Sequence, residues 1–501
     1  FRPGGGIVIA DQLPILQVIT PLISAPLIVI LRKPRAAWGS ALIITWATFA
    51  ISLSLLMQVL DNGTIIYRIG GWAAPWGIEY VLDKVGAFVL LIVSGIGAVV
   101  MTYARRSVEH EIPEDRVYLF YTMYLLCLTG LLGIVITGDV FNLFVFLEIS
   151  SLSSYVLISL GKNRRALSAA YRYLIMGTIG ATFYIIGVGL MYMMTGTLNM
   201  TDLATLLPTI TDIRVIQAAM AFLTVGICLK LALFPLHLWL PNAYTFAPSV
   251  VTAFMAATAT KVAVYVLIRL VFTVFGDVNV FETLGVQNIL MALAIMAMFA
   301  ASTIAIYQNN VKRLFAYSSV AQIGYIVLGI SFASETGLAA GIIHLFNHAI
   351  MKCAIFLGLG CVALRMGGVT LKDMNGLGHR MPWTMAAIVL GGLSLIGIPM
   401  TVGFISKWYL VRAAIEQDMW LIAALIVLSS LLAVIYVWRI VETAYLKPTP
   451  ENAAPVKEAP LSMLMPLWVM ALSSIYFGLD ATNTLTIALD AASSLLNGGI
   501  R

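Results

Sequence analysis

Lys230, Lys261 and Lys407 each stand inside a long apolar run: AAMAFLTVGICLKLALF, VVTAFMAATATKVAVYVLI and GGLSLIGIPMTVGFISKWYL. An ionised side chain near the centre of a bilayer costs about 2.5–3.5 kcal/mol on insertion scales. Three such costs in one chain point to a hydrated interior path on which lysines handle ions or protons. A fourth group fits that chemistry. Glu148, in GDVFNLFVFLEISSLSSYVLISL, follows two apolar turns that remove any capping or surface role. A buried carboxyl without a partner stays protonated, whereas beside a lysine it ionises. A Glu–Lys pair is therefore a usable switch, because separating the partners releases the lysine's proton. Asp139, nine residues earlier, stands at the expected helix start and suits a cap that satisfies free backbone N–H groups.

A second constellation is GIIHLFNHAIMKCAIFLGL. His344, His348 and Lys352 recur every four residues and so share one helical stripe. Histidine titrates nearest neutral pH and passes a proton between its ring nitrogens. Two readings stay open: core histidines bonded to neighbouring helices, and a proton relay favoured by the adjoining Lys352. Zinc is disfavoured because a closed site takes four ligands and no third is near.

The elements that must position these residues are membrane helices. Hydrophobic residues make up 61% of the 501 and charged residues 10%, against about 25% charged in soluble domains; mean hydropathy is +0.97. At about 20 residues per crossing, about 14 segments qualify: 11–31, 37–60, 81–104, 117–137, 140–160, 170–195, 215–243, 249–275, 287–307, 312–331, 338–364, 383–413, 418–446 and 461–480. The opening FRPGGG, with no initiating methionine, reads as a truncated start and is left out of the fold reading. The form of the tail LTIALDAASSLLNGGIR stays open.

The net charge of +6 reports topology rather than nucleic-acid binding. Arg32, Lys33 and Arg35 follow the first span, Arg105 and Arg106 the third, Lys162, Arg164 and Arg165 the fifth, and Lys312 and Arg313 the ninth. The loop at 61–82 carries only Arg68. By the positive-inside rule odd spans end in the cytoplasm, so both termini are expected on the non-cytoplasmic side of a cell membrane. Cys127, Cys228, Cys353 and Cys361 all lie in apolar segments without a Cys-x-x-Cys pair, which disfavours an iron–sulfur or zinc centre. No phosphate-binding loop or dinucleotide fingerprint occurs, so no cofactor is expected.

Two spans read as interrupted. Pro235 and Pro241 break the seventh and Pro399 the twelfth, since proline removes a backbone donor and clashes one turn back. Irregular backbone at membrane depth survives only inside protein or beside a wet cavity. Each break also holds a lysine, Lys230 or Lys407, and paired broken helices in two halves of a chain mark transport sites on inverted repeats.

The segments GDVFNLFVFLE, LKLALFPLHLWLPNAY, APSVVTAFMAATATKVAVYVLIR, HLFNHAIMKCAIFLGLG and GFISKW resemble the antiporter-like subunits of the complex I superfamily. The resemblance covers about residues 115–410. It implies an all-α integral membrane fold of 14 helices, with helices 4–8 (115–275) and 9–13 (276–446) as an inverted pair of five-helix repeats. Helices 1–3 (1–114) would precede them, and helix 14 and a tail (447–501) follow. Within the family the chain is most similar to the D-type member of Mrp Na+/H+ antiporters, through the FNLFVFLE wording and a lysine at 407. One departure is Tyr244, where members often carry histidine. By resemblance Glu148 and Lys230 match the first half-channel pair, Lys261 the central lysine, His348 and Lys352 the relay, and Lys407 the end of the second half-channel. The implied activity is exchange of protons for Na+ or K+ among other membrane subunits, with no electron chemistry in this chain. The alternative is a proton-pumping subunit of a redox-driven complex.

Overall fold

The computed structural model describes residues 9–210, 213–276, 285–450 and 455–497; FRPGGG lies outside them. Helices follow the apolar runs. They are α1 (Leu13–Leu31), α2 (Pro34–Asn62), α3 (Lys84–Glu111), α4 (Val117–Ile136), α5 (Val140–Ser159), α6 (Arg165–Thr195), the short α7 (Met200–Leu206), α8 (Ile213–Leu231), α9 (Leu240–Phe246), α10 (Ser249–Ala257) and α11 (Ala259–Ile268). After 277–284 come α12 (Val286–Ile306), α13 (Val311–Ser331), α14 (Glu335–Met366), the short α15 (Leu377–Arg380), α16 (Pro382–Ile396), α17 (Val402–Glu416), α18 (Trp420–Val441), α19 (Leu461–Leu479) and α20 (Thr482–Leu496). The loop after α2 is more ordered than its sequence suggests. It forms an antiparallel hairpin of β1 (Ile65–Arg68) and β2 (Glu79–Leu82), with Ile65 opposite Leu82.

Thirteen stretches of the described chain are long and apolar enough to cross a membrane. The fourteenth crossing is shared by α16 and α17, for 15 residues at about 1.5 Å each fall short of a hydrocarbon layer about 30 Å thick. Burial sorts the helices into two layers. In 249–274 and 311–331, 94% of the most apolar window is enclosed by protein; in 10–31 and 34–62 the share is 33%. The outer helices show how lipid reverses the usual pattern. α2 turns small residues inward (Ala37, Ala41, Thr45, Thr48 and Ser52) while Ile43, Trp46, Leu53 and Met57 face outward. Small side chains let backbones approach, and the large apolar ones are solvated by lipid.

The two five-helix units share a local signature. Val140 N–H donates to Leu198 O and Met200 N–H to Gly138 O; in the second unit Val311 donates to Val369 O and Leu371 to Asn309 O, all at 2.8–2.9 Å. Every partner in the second set lies the same number of positions after its counterpart. A side chain caps the helix in both cases, Asp139 Oδ1 accepting from Asn142 N–H at 2.6 Å and Asn310 Oδ1 from Arg313 N–H at 3.1 Å. An odd number of crossings per unit makes the second start from the opposite face, which inverts it.

Both expected interruptions are present, and the backbone shows how each is made. The seventh span stops at Leu231, where Ala232 takes φ 60°, and resumes at Leu240. Trp239 Nε1–H fills part of the gap by donating to Leu229 O at 2.9 Å. The twelfth stops at Ile396, where Gly397 takes φ 90°, a left-handed conformation open to glycine without strain. A third irregularity has no proline to announce it: Thr258, at φ −124° and ψ −60°, separates α10 from α11 one turn before Lys261.

Candidate functional site

The polar groups buried at membrane depth begin on α5. Its serines Ser150, Ser151, Ser153 and Ser154 are buried, whereas Phe141, Val145, Leu152 and Val156 are exposed. Glu148 sits between these faces with 28% of its side chain open. Lys230, at the end of α8, meets it there. Lys230 Nζ lies 3.4 Å from Glu148 Oε1 and donates to Ser151 Oγ at 2.7 Å. Termination of α8 at Leu231 places the lysine in the last turn, where carbonyls without helical partners favour a cation. A cavity of about 20 Å³, enough for one water molecule, adjoins Lys230. Ser151, Ser154, Tyr173 and Lys230 line it together with Ala259, Val262 and Ala263 of α11, the helix that carries Lys261.

Lys261 is 1% exposed and lies at the middle of the 249–274 crossing. Its ammonium donates to Ala256 O and reaches Thr260 Oγ1 at 3.4 Å. The helical irregularity at Thr258 thus supplies the carbonyl that holds the charge. His348 and Lys352 face it from α14, both 0% exposed. Lys352 Nζ donates to Phe315 O at 2.8 Å and to Ser318 Oγ on α13. Neither ring nitrogen of His348 has a hydrogen-bond partner among the described protein groups. The charges of Lys261 and Lys352 both bear on this imidazole. A buried polar group without protein partners is the usual seat of a bound water.

His344, one turn before His348, is tied on both sides: Nδ1 lies 2.7 Å from Ser406 Oγ and Nε2 lies 2.9 Å from Gln322 Oε1. Its ring is 6.2 Å from that of His348 and nearly parallel to it. Lys407 completes the set from α17. Nζ donates to Leu395 O at 2.8 Å and Ile396 O at 3.0 Å, the last carbonyls of α16, and sits 4.8 Å above the Tyr325 ring. The two halves of the broken twelfth span are therefore joined through a lysine, α17 supplying the cation and α16 the negative end of its helix dipole.

The structure thus pairs Glu148 with Lys230, clusters Lys261, His348 and Lys352, and links His344 to the helix of Lys407. Lys230 and Lys261 both belong to the first five-helix unit, and the serine-lined cavity lies between Lys230 and the helix that carries Lys261. Asp139 is an N-cap, and Tyr244 donates to Met255 O at 3.3 Å. Several further groups give little signal in the sequence. Arg269, late in the eighth span, is buried with its guanidinium on both oxygens of Asp83 and on Tyr265 Oη at 2.8 Å. Ser151, Gln322 and Ser406 do not stand out either, because uncharged polar residues are common in membrane helices. The run EISSLSSY is the one signal for the first of them.

A membrane-embedded helical fold built around a broken helix in each half, with buried lysines at or beside the breaks, has the features by which transport sites on inverted repeats are recognised. The profile of the NADH:quinone oxidoreductase/Mrp antiporter, TM family matches residues 137–433, and the chain belongs to that family. It is 42% identical over 485 residues to the N-type member of the NADH-quinone oxidoreductase of Desulforudis audaxviator, a match that covers 93% of this chain and 96% of the relative. It is 29% identical over 491 residues to the D-type member of the Na+/H+ antiporter of Alkalihalophilus pseudofirmus, covering 97% and 98%. Among solved structures, a chain of the archaeal membrane-bound sulfane sulfur reductase superposes with a TM-score of 0.90 at 32% identity, covering 97% of this chain and 98% of that one. The protein is thus an antiporter-like, multi-pass membrane subunit of the complex I superfamily.

Proposed function

We propose that this chain moves protons across a cell membrane through two half-channels, one ending at Glu148–Lys230 and the other at Lys407. Lys261, His348, Lys352 and His344 form the polar axis between them. The cluster of two lysines around His348 supports this reading most directly. Two buried ammonium groups beside an imidazole with no partner among the described protein groups make little sense as packing, yet they suit a relay whose missing contacts are waters. The half-channels correspond to helices 4–8 (115–275) and 9–13 (276–446), and both termini lie on the non-cytoplasmic side.

The chain works within a hetero-oligomer of membrane subunits, and two assemblies suit it. The FNLFVFLE wording and Lys407 support an Mrp-type antiporter exchanging protons for Na+ or K+. The higher identity to a quinone oxidoreductase relative, 42% against 29%, supports a redox-driven complex in which this subunit pumps protons and handles no electrons. Either assembly uses the same proton path.

The test is proton movement in sealed vesicles carrying the complete complex. Lys261→Ala is expected to remove it while the subunit remains assembled, because loss of the central lysine interrupts the axis. Wild-type proton movement in an assembled Lys261→Ala complex rules out the axis. Driving the same vesicles with a Na+ or K+ gradient, and separately with reductant, separates the two assemblies.

A further inference from the structure

His344 is held more tightly than a simple hopping site requires, and the way it is held fixes a direction. Groups from three neighbouring helices surround it. From α13 come the Gln322 amide and the Tyr325 ring, 5.6 Å from the imidazole. From α17 come Ser406 and the charge of Lys407, from α11 the charge of Lys261, and on its own helix stands His348. No carboxylate is among these groups.

Ser406 has one hydroxyl hydrogen and two acceptors in range, His344 Nδ1 at 2.7 Å and Gly403 O at 3.5 Å. The shorter contact takes the hydrogen. Nδ1 is then an acceptor, Nε2 carries the ring proton, and that proton is donated to Gln322 Oε1 at 2.9 Å. The arrangement also accommodates a second proton. If Nδ1 becomes N–H, Ser406 Oγ accepts from it and turns its own hydrogen towards Gly403 O, while Gln322 Oε1 goes on accepting from Nε2. An amide oxygen does not accept that proton outright.

We propose that Gln322 is a positioning residue that leaves His344 open for proton exchange at Nδ1, on the Lys407 side, and closes it at Nε2, on the far side. The inference rests on the proton path proposed above. In the loading step one N–H bond of the Lys407 ammonium breaks and its proton passes through intervening water to Ser406 Oγ, as the serine's own hydroxyl proton forms a new N–H bond at Nδ1. Lysine is left as a neutral amine and the imidazole as a cation, so charge is conserved. Passage onward to His348 then requires the Nε2–Gln322 hydrogen bond to open, which makes Gln322 the catch on the relay.

The experiment compares Gln322→Glu and Gln322→Leu in the assembled complex by the pH profile of proton movement. A carboxylate against Nε2 favours the imidazolium, so Gln322→Glu is expected to displace the profile to higher pH by about one unit or more. Gln322→Leu is expected to slow transport at least tenfold without that displacement. A Gln322→Glu profile that superimposes on the wild type overturns the proposal. Histidine 15N spectra of the wild-type complex, labelled in this subunit alone, read the same feature without depending on a variant's activity. The chain has five histidines, and His344→Asn identifies the relevant signals by their loss. A neutral ring protonated at Nε2 is expected at pH 7; protonation at Nδ1 overturns the assignment. Wild-type transport by His344→Asn removes His344 from the path altogether. An inactive His344→Asn, with either contrary result above, removes only the role of Gln322.

Discussion

Replacing Glu148 by Gln tests the first half-channel at the ion pair it forms with Lys230. The carboxylate lies 3.4 Å from Lys230 Nζ. At an effective dielectric near 20 that separation corresponds to an attraction of about 5 kcal/mol, an upper value because part of the carboxylate is open. The amide keeps the shape and removes the charge, while Ser151 still accepts from the lysine at 2.7 Å. The helix therefore has no reason to unfold, and the subunit should remain in its complex. What is lost is the alternation between a paired and an unpaired lysine, so proton movement in vesicles with an internal pH dye should fall at least tenfold. Glu148→Asp retains the charge and shortens the reach by about 1.5 Å, leaving about 3 kcal/mol on the same relation. It should transport at an intermediate rate. Wild-type transport by a fully assembled Gln variant would show that the pair is structural, and the switching role would be abandoned.

Other positions make independent tests. Lys407→Ala removes the donor to Leu395 O and Ile396 O and should eliminate transport; Lys407→Arg should also fail, because a guanidinium keeps the charge but cannot give up its proton. Full activity of the Arg variant would mean that position 407 needs only to be positive. At Gly403 an added Cβ would collide with Ser394 O. Gly403→Ala should therefore push α17 away from α16, displace Lys407 and cut transport at least tenfold, which a crosslink between the two half-helices would report as increased separation. Asp83→Asn leaves Arg269 buried without its anion and should destabilise the subunit by about 3–5 kcal/mol. An unchanged melting temperature of the purified complex would remove that pair from the list of stabilising contacts.

The membrane class, the crossings and the two proline-marked breaks are legible in the residue order alone. Apolar runs about 20 residues long have few other solutions, and proline acts on the backbone of its own helix. Glu148, Lys230, Lys261, Lys352 and Lys407 stand out the same way, because a charge in hydrocarbon is costly wherever the helix packs. What those charges touch is a matter of helix packing. The irregularity at Thr258 carries no proline and depends on the packing around it, yet it frees the carbonyl that receives Lys261. His344 and His348 are one turn apart on the same helix and equal in local sequence terms. Residues far along the chain, Gln322 and Ser406, bind the first and leave the second without a partner among the described residues. The serine-lined gap between Lys230 and the helix of Lys261, and the buried contact of Arg269 with Asp83, likewise come from helices whose pairing no local periodicity encodes. Helix formation and membrane insertion are written in neighbouring residues, whereas the contacts of a buried charge are set by which helices pack around it.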